Sequence, residues 1–434
     1  MEVVKYKDSG VAWIGNIPEH WRVSAIKRTT YIKGRIGWQG LTSEEYQSEG
    51  KYLLVTGTDF ENGKIKWEGC WYVAEERYGE DPYIQLANND VLITKDGTIG
   101  KIALVENMPT EATLNSGVFV TRPYRNEYFP QFMFWVLNSD LFPEFIEYSK
   151  VGTTIAHLYQ KTFERFSYPL PPLDEQRCIV AFLDKTCAAI DTAIDKKQKQ
   201  LETLDALRKS IIHKAVSRGL DDSVELKESG IEWAPLKPAH WKTCRVKDIL
   251  DFFNTVRIPL SADIRGLMTD RIYDYYGASG VIDKVEDYLF DGTYILIAED
   301  GANLLARNSP LAFFVTGKFW VNNHAHILKP RFDNIRYFVY LLESLDYSLC
   351  LTGAAQPKLT KENLGKYKII VPSKTEQDLI TDYLDTKTAE LKGLNENIEN
   401  QITALQQYRK SLIHECVTGK RRITDEDMRV VQQY

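Results

Sequence analysis

Glu175-Gln-Arg-Cys-Ile-Val-Ala-Phe-Leu-Asp184, leading to Arg208-Lys-Ser-Ile-Ile-His213, is written twice in this chain. Glu376-Gln-Asp-Leu-Ile-Thr-Asp-Tyr-Leu-Asp385 and Arg409-Lys-Ser-Leu-Ile-His414 repeat it at a constant separation of 201 residues (175 to 376, 213 to 414). Positions 183, 187, 190, 194, 197, 201, 204, 208 and 211 carry Leu, Cys, Ile, Ile, Lys, Leu, Leu, Arg and Ile, in alternating steps of four and three. That is a heptad seam. The second copy has Leu384, Thr388, Leu391, Asn395, Ile398, Ile402, Leu405, Arg409 and Leu412 at the matching positions. Lys197 and Asn395 interrupt the two seams at different places, and polar seam residues fix register at some cost in stability. The alternative is two unrelated amphipathic helices, each lying on its own domain. Neither copy has a globular remainder after it to lie on.

Connectivity then dictates a shape. Glu175 to Arg218 as one helix is about 66 Å long. Only Gly219 to Glu225 links it to the second half of the chain, so a second module must sit at its far end. A second helix packing on the first has to run back antiparallel. The expected object is a dumbbell with pseudo-twofold symmetry and both chain ends near the first module. Ser373 and Glu376 have capping-box spacing at the start of the second helix, and Asp174 is a candidate cap for the first.

The segments before the helices repeat more loosely. Lys7-Asp-Ser-Gly-Val-Ala-Trp13 returns as Lys227-Glu-Ser-Gly-Ile-Glu-Trp233, and Pro18-Glu-His20-Trp21 as Pro238-Ala-His240-Trp241. Leu92-Ile-Thr-Lys-Asp96-Gly97 parallels Leu296-Ile-Ala-Glu-Asp300-Gly301, and Asn115–Pro123 parallels Asn322–Pro330. Separations drift between 220 and 204 in these segments and lock at 201 from Gly152 onward, so insertions fall in the modules and not in the helices. Short apolar runs bounded by Gly, Asn and Asp read as strands. Phe132–Leu137 and its counterpart Phe338–Leu342 read as a buried helix. Prolines 169, 171, 172 and 372 close the modules. The fold class is α+β: two mixed modules, residues 1–173 and 220–373, with a central long helix over 174–219 and a distal long helix and tail over 374–434.

Composition narrows the class without deciding it. The chain has 434 residues, 44% of them hydrophobic and 26% charged, as expected of a multidomain globular protein. It has no apolar run of membrane-spanning length and no signal-peptide core at its start. Its six cysteines are scattered with no Cys-x-x-Cys, which reads as reduced thiols in a cytoplasmic protein. A net charge of −6 neither supports nor excludes nucleic acid, because binding requires a basic face and not a basic total.

No catalytic constellation emerges. A phosphate-binding Gly-x-x-x-x-Gly-Lys-(Ser/Thr) loop is missing, Gly34-Arg-Ile-Gly37-Trp-Gln-Gly40 has the wrong spacing for a dinucleotide fingerprint, and no adenine methyltransferase motif is present. His324-x-His326 has no Cys or His cluster to complete a metal site, so a strand carrying two histidines is expected. Asp96 and Asp300 sit in matched Asp-Gly turns. Lys95 becomes Glu299 between the copies, which a shared catalytic role would not tolerate. Likewise Gly152-Thr-Thr-Ile-Ala-His-Leu158 becomes Gly353-Ala-Ala-Gln-Pro-Lys-Leu359. The flanking Gly and Leu persist while the polar contents change, as two readers of different targets would require. Arg, Lys, Gln, Asn, Thr and His are also the residue types that read base edges.

In this order, and twice over, the motifs closely resemble the specificity subunit of type I restriction-modification systems. The resemblance rests on Ser-Gly-(Val/Ile)-x-Trp, Pro-x-His-Trp, Thr94-Lys-Asp-Gly-Thr98, Pro171-Pro-Leu-Asp-Glu-Gln176 and the two Arg-Lys-Ser-(Ile/Leu)-Ile-His closings. The second copy departs from it at Ser373-Lys-Thr and Ala354-Ala355. The resemblance implies two target recognition domains, each reading half of a bipartite, asymmetric DNA site, on helices that set the spacing and dock two methylation subunits. Those partners would carry S-adenosylmethionine and methylate adenine N6, while motor subunits would use ATP and Mg to restrict DNA. This chain would bind no cofactor or metal and catalyse nothing. The candidate DNA contacts are Arg35, Trp38, Gln39, Lys95, Thr98, Thr153, Thr154, His157 and Tyr159 in the first module. In the second they are Asn303, Asn323, His324, Gln356 and Lys358. The competing reading is a coiled-coil scaffold for protein partners with no DNA role.

Overall fold

A computed structural model describes residues 5–35, 40–149, 157–300, 303–307, 309–332, 334–353, 357–424 and 426–429. Both copies of the repeated run are single helices, Leu173–Arg218 and Lys374–Thr418. Each is free of internal proline, and each stops at a glycine in the left-handed region, Gly219 (φ 80) and Gly419 (φ 73). All nine seam positions of each helix are buried or half-buried. Ser373 caps the distal helix as its spacing foretold: Glu376 N donates to Ser373 Oγ at 3.3 Å, and Glu376 Oε2 accepts from Ser373 N at 3.1 Å. Asp174 does not cap the central helix. That helix starts at Leu173, the position matching Ser373 is Pro172, and Asp174 sits in the first turn paired with Arg177 at 3.2 Å.

The chain forms two compact units, residues 1–197 with 400–434, and residues 198–399. Each unit therefore holds the start of one long helix and the end of the other. In the first, Arg409 Nε meets Asp191 at 2.8 Å and Lys197 Nζ meets Gln401, so one helix descends in number as the other rises. Leu183, Cys187, Ile190 and Ile194 of the central helix join Leu412, Ile413, Cys416 and Val417 of the distal helix in one core. That core continues into the module through Phe145, Phe166 and Tyr168. In the second unit Ile212, Ala215 and Val216 share a core with Ile380 and Leu384, and with Tyr337, Phe338 and Leu342 of the module. Each such side chain contributes about 1.5–3 kcal/mol by leaving water, so helix and module are held as one body within each unit.

The first module is built on a four-stranded sheet in the order Ile102–Leu104, Val91–Thr94, Val118–Pro123, Thr30–Gly34. A three-stranded sheet (Ala112–Leu114, Tyr52–Val55, Trp71–Val73) packs beside it. Pro130–Leu137 is a buried helix, and Ile335–Ser344 is its counterpart in the second module. The second module instead has one six-stranded sheet. Leu250–Phe252 lies at one edge and the hairpin Tyr273–Gly277/Gly280–Val285 at the other. The shared frame is the strand pair that brackets each module: Arg22–Ala25 with Ser167–Leu170, and Lys242–Arg245 with Lys368–Val371. What differs is the sheet filling between these brackets, where the sequences align least.

Candidate nucleic-acid interface

The repeated motifs divide into those that build the frame and those left over. Pro-x-His-Trp builds it. Trp21 Nε1 donates to Glu175 Oε2 at 2.9 Å and His20 Nε2 meets Oε1 at 2.7 Å. Trp241 and His240 hold Glu376 Oε1 in the same way at 3.0 and 2.7 Å. These carboxylates lie in first helical turns, where the helix dipole favours negative charge. The neighbouring glutamines are fully buried. Gln176 takes Phe129 N at 3.1 Å and gives Nε2 to Pro171 O at 2.9 Å, and Gln377 does likewise with Asn334 N and Pro372 O at 3.1 and 3.2 Å. Trp13 and Trp233, from the Ser-Gly-x-x-Trp openings, donate to Ser167 O at 2.9 Å and Lys368 O at 3.0 Å. Further along the helices, Asp184 accepts from Trp135 at 2.7 Å and Asp385 from Tyr340 at 2.8 Å. The shared motifs are thus consumed in fixing each module to the helix that closes it.

What remains is a corner in each module where the Asp-Gly turn meets the loop that diverges between copies. Lys95 O accepts from Leu158 N at 2.8 Å, and Glu299 O accepts from Leu359 N at 2.7 Å. Backbone bridges Asp96–His157 and Asp300–Lys358 lie next to these bonds. The backbone frame is the same, but Lys95 becomes Glu299 and His157 becomes Lys358 on it. In the first corner His157 Nδ1 pairs with the Asp96 carboxylate, and Tyr159, two-thirds exposed, sets its ring edge-on 4.6 Å from the imidazole. Thr94 Oγ1 ties the turn by donating to Thr98 O and accepting from Lys101 N at 2.9 Å. Lys95 lies over the Phe119 ring at 4.8 Å, and its burial lowers the ammonium pKa.

In the second corner Lys358 stands where His157 stands in the first, and a different histidine supplies the imidazole. His324 Nδ1 lies 2.9 and 3.0 Å from the two Asp300 oxygens. Glu299, replacing Lys95, is held between Arg257 at 2.6 Å and Lys358 at 3.3 Å. Burial pushes its pKa up, but Arg257 and Lys358 outweigh that and leave it below the usual range. His326 is fully buried, with Nε2 on Leu359 O and Nδ1 on Asn254 Nδ2, both at 2.7 Å. One nitrogen therefore donates and the other accepts, which fixes a neutral ring, and burial lowers its pKa accordingly. So His326 braces the strand while His324, just before it, faces outward.

The sequence candidates fall into three groups. Lys95, Thr98, His157 and Tyr159 converge on the first corner, and Asn323, His324 and Lys358 on the second, where Arg257 also bonds Asn323 O at 3.2 Å. Asn303 closes its own loop through Ser309, with bonds of 2.9 and 3.0 Å. Arg35 is 1% exposed, and its guanidinium is spent on Leu114 O (2.9 Å), Arg77 O (3.3 Å) and Glu80 (3.1 Å). It braces the two sheets from inside and offers no donor outward. Trp38, Gln39, Thr153, Thr154 and Gln356 lie outside the described residues. Asn254 and Arg257 escaped sequence reading because no motif of the first copy is repeated around them. Among the described residues no group of three His, Cys, Asp or Glu could hold a metal ion, and no helix is long and apolar enough to cross a membrane.

A family model for the type I restriction modification DNA specificity domain matches residues 37–203 and again 238–404. The chain belongs to that family. Specificity subunits are the non-catalytic, DNA-recognising members of type I systems, and the twofold match coincides with the two modules and their helices. Among relatives of this specificity subunit, a putative type I specificity subunit of Haemophilus influenzae is 33% identical over 166 residues, 38% of this chain and 39% of that protein. The MjaVIII specificity subunit of Methanocaldococcus jannaschii is 24% identical over 94% of each chain. The EcoKI specificity subunit of Escherichia coli is 21% identical over 52% of this chain and 47% of its own length. A chain from a solved type I restriction-modification assembly superimposes with a TM-score of 0.70 at 16% identity, covering 93% of this chain and 99% of that one. The HsdS subunit of Thermoanaerobacter tengcongensis gives 0.50, also at 16% identity, over 93% and 98%. These likenesses carry the fold, including both long helices.

Proposed function

We propose that this specificity subunit reads one half of a bipartite, asymmetric DNA site with each corner. In the first module His157, Tyr159, Lys95 and Thr98 contact DNA, together with Trp38, Gln39, Thr153 and Thr154. In the second, Asn323, His324, Lys358, Asn303 and Gln356 do so. Arg35 contributes by holding the first module's sheets together and touches no base. One observation carries this reading: the two corners share a backbone frame and its Asp and Leu, and differ in the polar side chains set on it, Lys95 against Glu299 and His157 against Lys358. A carboxylate that pins one imidazole nitrogen leaves the other free to meet a base edge, and lysine donates to guanine acceptors.

The long helices then serve as spacer and docking surface for two methylation subunits, with restriction subunits joining the full cytoplasmic complex. S-adenosylmethionine, ATP and Mg belong to those partners. Sequencing of N6-methyladenine in cells carrying the system tests the whole reading. Two half-sites at one fixed spacing are expected, with His157→Ala altering only one half and His324→Ala only the other. Methyl transfer by this chain alone, or an unchanged sequence in both variants, would overturn it. A protein-only scaffold would leave the methylated sequence indifferent to either change.

A further inference from the structure

We infer that the first module carries a phosphate-binding strip along its edge strand, extending DNA contact beyond the half-site on that side only. The inference rests on the DNA-recognition reading above. Among the described residues Thr30–Gly34 is the outermost strand of its sheet and pairs with Val118–Pro123 alone. Gln160, adjacent to Tyr159, donates Nε2 to Ile32 O at 3.2 Å, so the strand runs directly away from the corner.

Tyrosines and cations alternate along it. The Tyr31 ring lies 6.5 Å from Tyr83 and 6.4 Å from Tyr124, and Lys33 Nζ sits 5.8 Å over Tyr83. Tyr83 is 64% and Tyr124 44% exposed. Arg122 is neutralised by Asp90 and holds the Tyr83 loop through its carbonyls, while Lys33 pairs with Asp81 at 3.4 Å. At the far end Tyr124 N donates to Thr29 O at 2.6 Å, which brings Arg28 and Arg125 together. Both are exposed, and neither has a carboxylate partner among the described residues. Arg28 stands in the helical turn Ile26–Thr29 that precedes the strand Thr30–Gly34, so residues 28 to 34 cover about 16 Å, the length of roughly five base steps. Free guanidinium groups and phenolic hydroxyls are the donors that phosphate oxygens take without regard to sequence.

The second module lacks this strip at the same place. Tyr31 pairs with Arg122 in the sheet where Asp251 pairs with Lys329, which fixes the correspondence. Arg28, Tyr31 and Lys33 thus match Asp248, Asp251 and Phe253, and Arg125 matches Phe332. Asp248 is satisfied by Arg245 and Asp251 by Arg331, both at 2.9 Å. At these matched positions the second edge carries paired carboxylates and phenylalanines where the first carries cations and a tyrosine.

The test uses the complex reconstituted with its methylation subunits and a duplex carrying the mapped site. For Arg28→Ala/Arg125→Ala, log Kd against log salt should become shallower by about two, one for each lost phosphate contact. Trimming six base pairs of flank on the first module's side should weaken wild type about tenfold and leave the variant unaffected. Trimming the other flank should spare both. The methylated sequence and thermal unfolding should not change, and the double lysine variant should restore the slope. An unaltered slope with unaltered flank dependence overturns the strip, as does loss of methylation-subunit binding in place of DNA affinity, which would make it a protein-docking face. If His157→Ala leaves the methylated sequence intact while the arginine variant behaves as expected, the corner reading fails and the strip stands.

Discussion

Trp241 Nε1 donates to Glu376 Oε1 at 3.0 Å, and this one bond joins the opening motif of the second module to the first turn of the helix that closes it, 135 residues later. Burial raises the Glu376 pKa, but hydrogen bonds from Trp241, His240 and Ser373 outweigh it and bring the carboxyl down to about 2. A carboxyl depressed on folding stabilises the native state above its ordinary pKa near 4.5, and that stability is lost as pH falls through the folded value. Thermal unfolding of the second unit should therefore weaken progressively from about pH 4.5 towards about 2. Glu376→Gln should lower stability by about 1–2 kcal/mol at neutral pH and flatten this part of the profile. A variant with the wild-type acid slope would show that the clamp carries no charge-dependent stability.

Gly419 stops the distal helix at φ 73, and a Cβ there would lie 2.5 Å from Pro18 Cγ and Cδ. Gly419→Ala incurs both the left-handed penalty of about 1–2 kcal/mol and displacement of the Pro18-Trp21 segment. At Gly219 (φ 80) the added Cβ meets only the Trp241 ring edge, at 3.1 Å. Calorimetry should find Gly419→Ala more destabilising than Gly219→Ala. Equal losses would mean that conformation alone matters at these stops.

Asn395 occupies a seam position whose counterpart in the other helix is Ile194, and its Oδ1 is buried with no hydrogen-bond partner. Asn395→Ile removes an unsatisfied acceptor and extends the apolar seam, so a gain of about 1 kcal/mol is expected in denaturant titration. A loss would show that the asparagine fixes a register the isoleucine cannot hold.

A heptad inserted into the central helix alone leaves the distal helix seven residues short of its match. Either the complex fails to assemble or the mapped half-sites move apart, as sequencing of modified adenines would report. Unchanged assembly on an unchanged site would show that helix length does not govern spacing.

Much of this architecture was legible because it was repeated. Period and seam placed both long helices, and the Phe132–Leu137 helix is buried as its aromatic run implied. Asp174 misled because a proline at the true cap position hides the start of the central helix. The corners were only half legible. Divergence at 152–158 against 353–359 pointed to them, but no pattern shows that Arg35 is walled in while Lys95 is not, since burial depends on sheets formed by residues far along the chain. Nor could spacing reveal that Asp96 and Asp300, aligned in sequence, recruit imidazoles from unaligned positions, His157 and His324.

The mixed ownership of each unit's core has an evolutionary corollary. The distal helix covers the first unit's core with Leu412, Ile413, Cys416 and Val417, and the central helix ends in the near-synonymous Ile211, Ile212, Ala215 and Val216. A gene encoding only one module and one helix would therefore make a chain with an uncovered face and, at its own far end, the segment that fits it. Two such chains can complete each other. The present single chain has the form expected from fusing that homodimer, after which each half became free to acquire its own vocabulary.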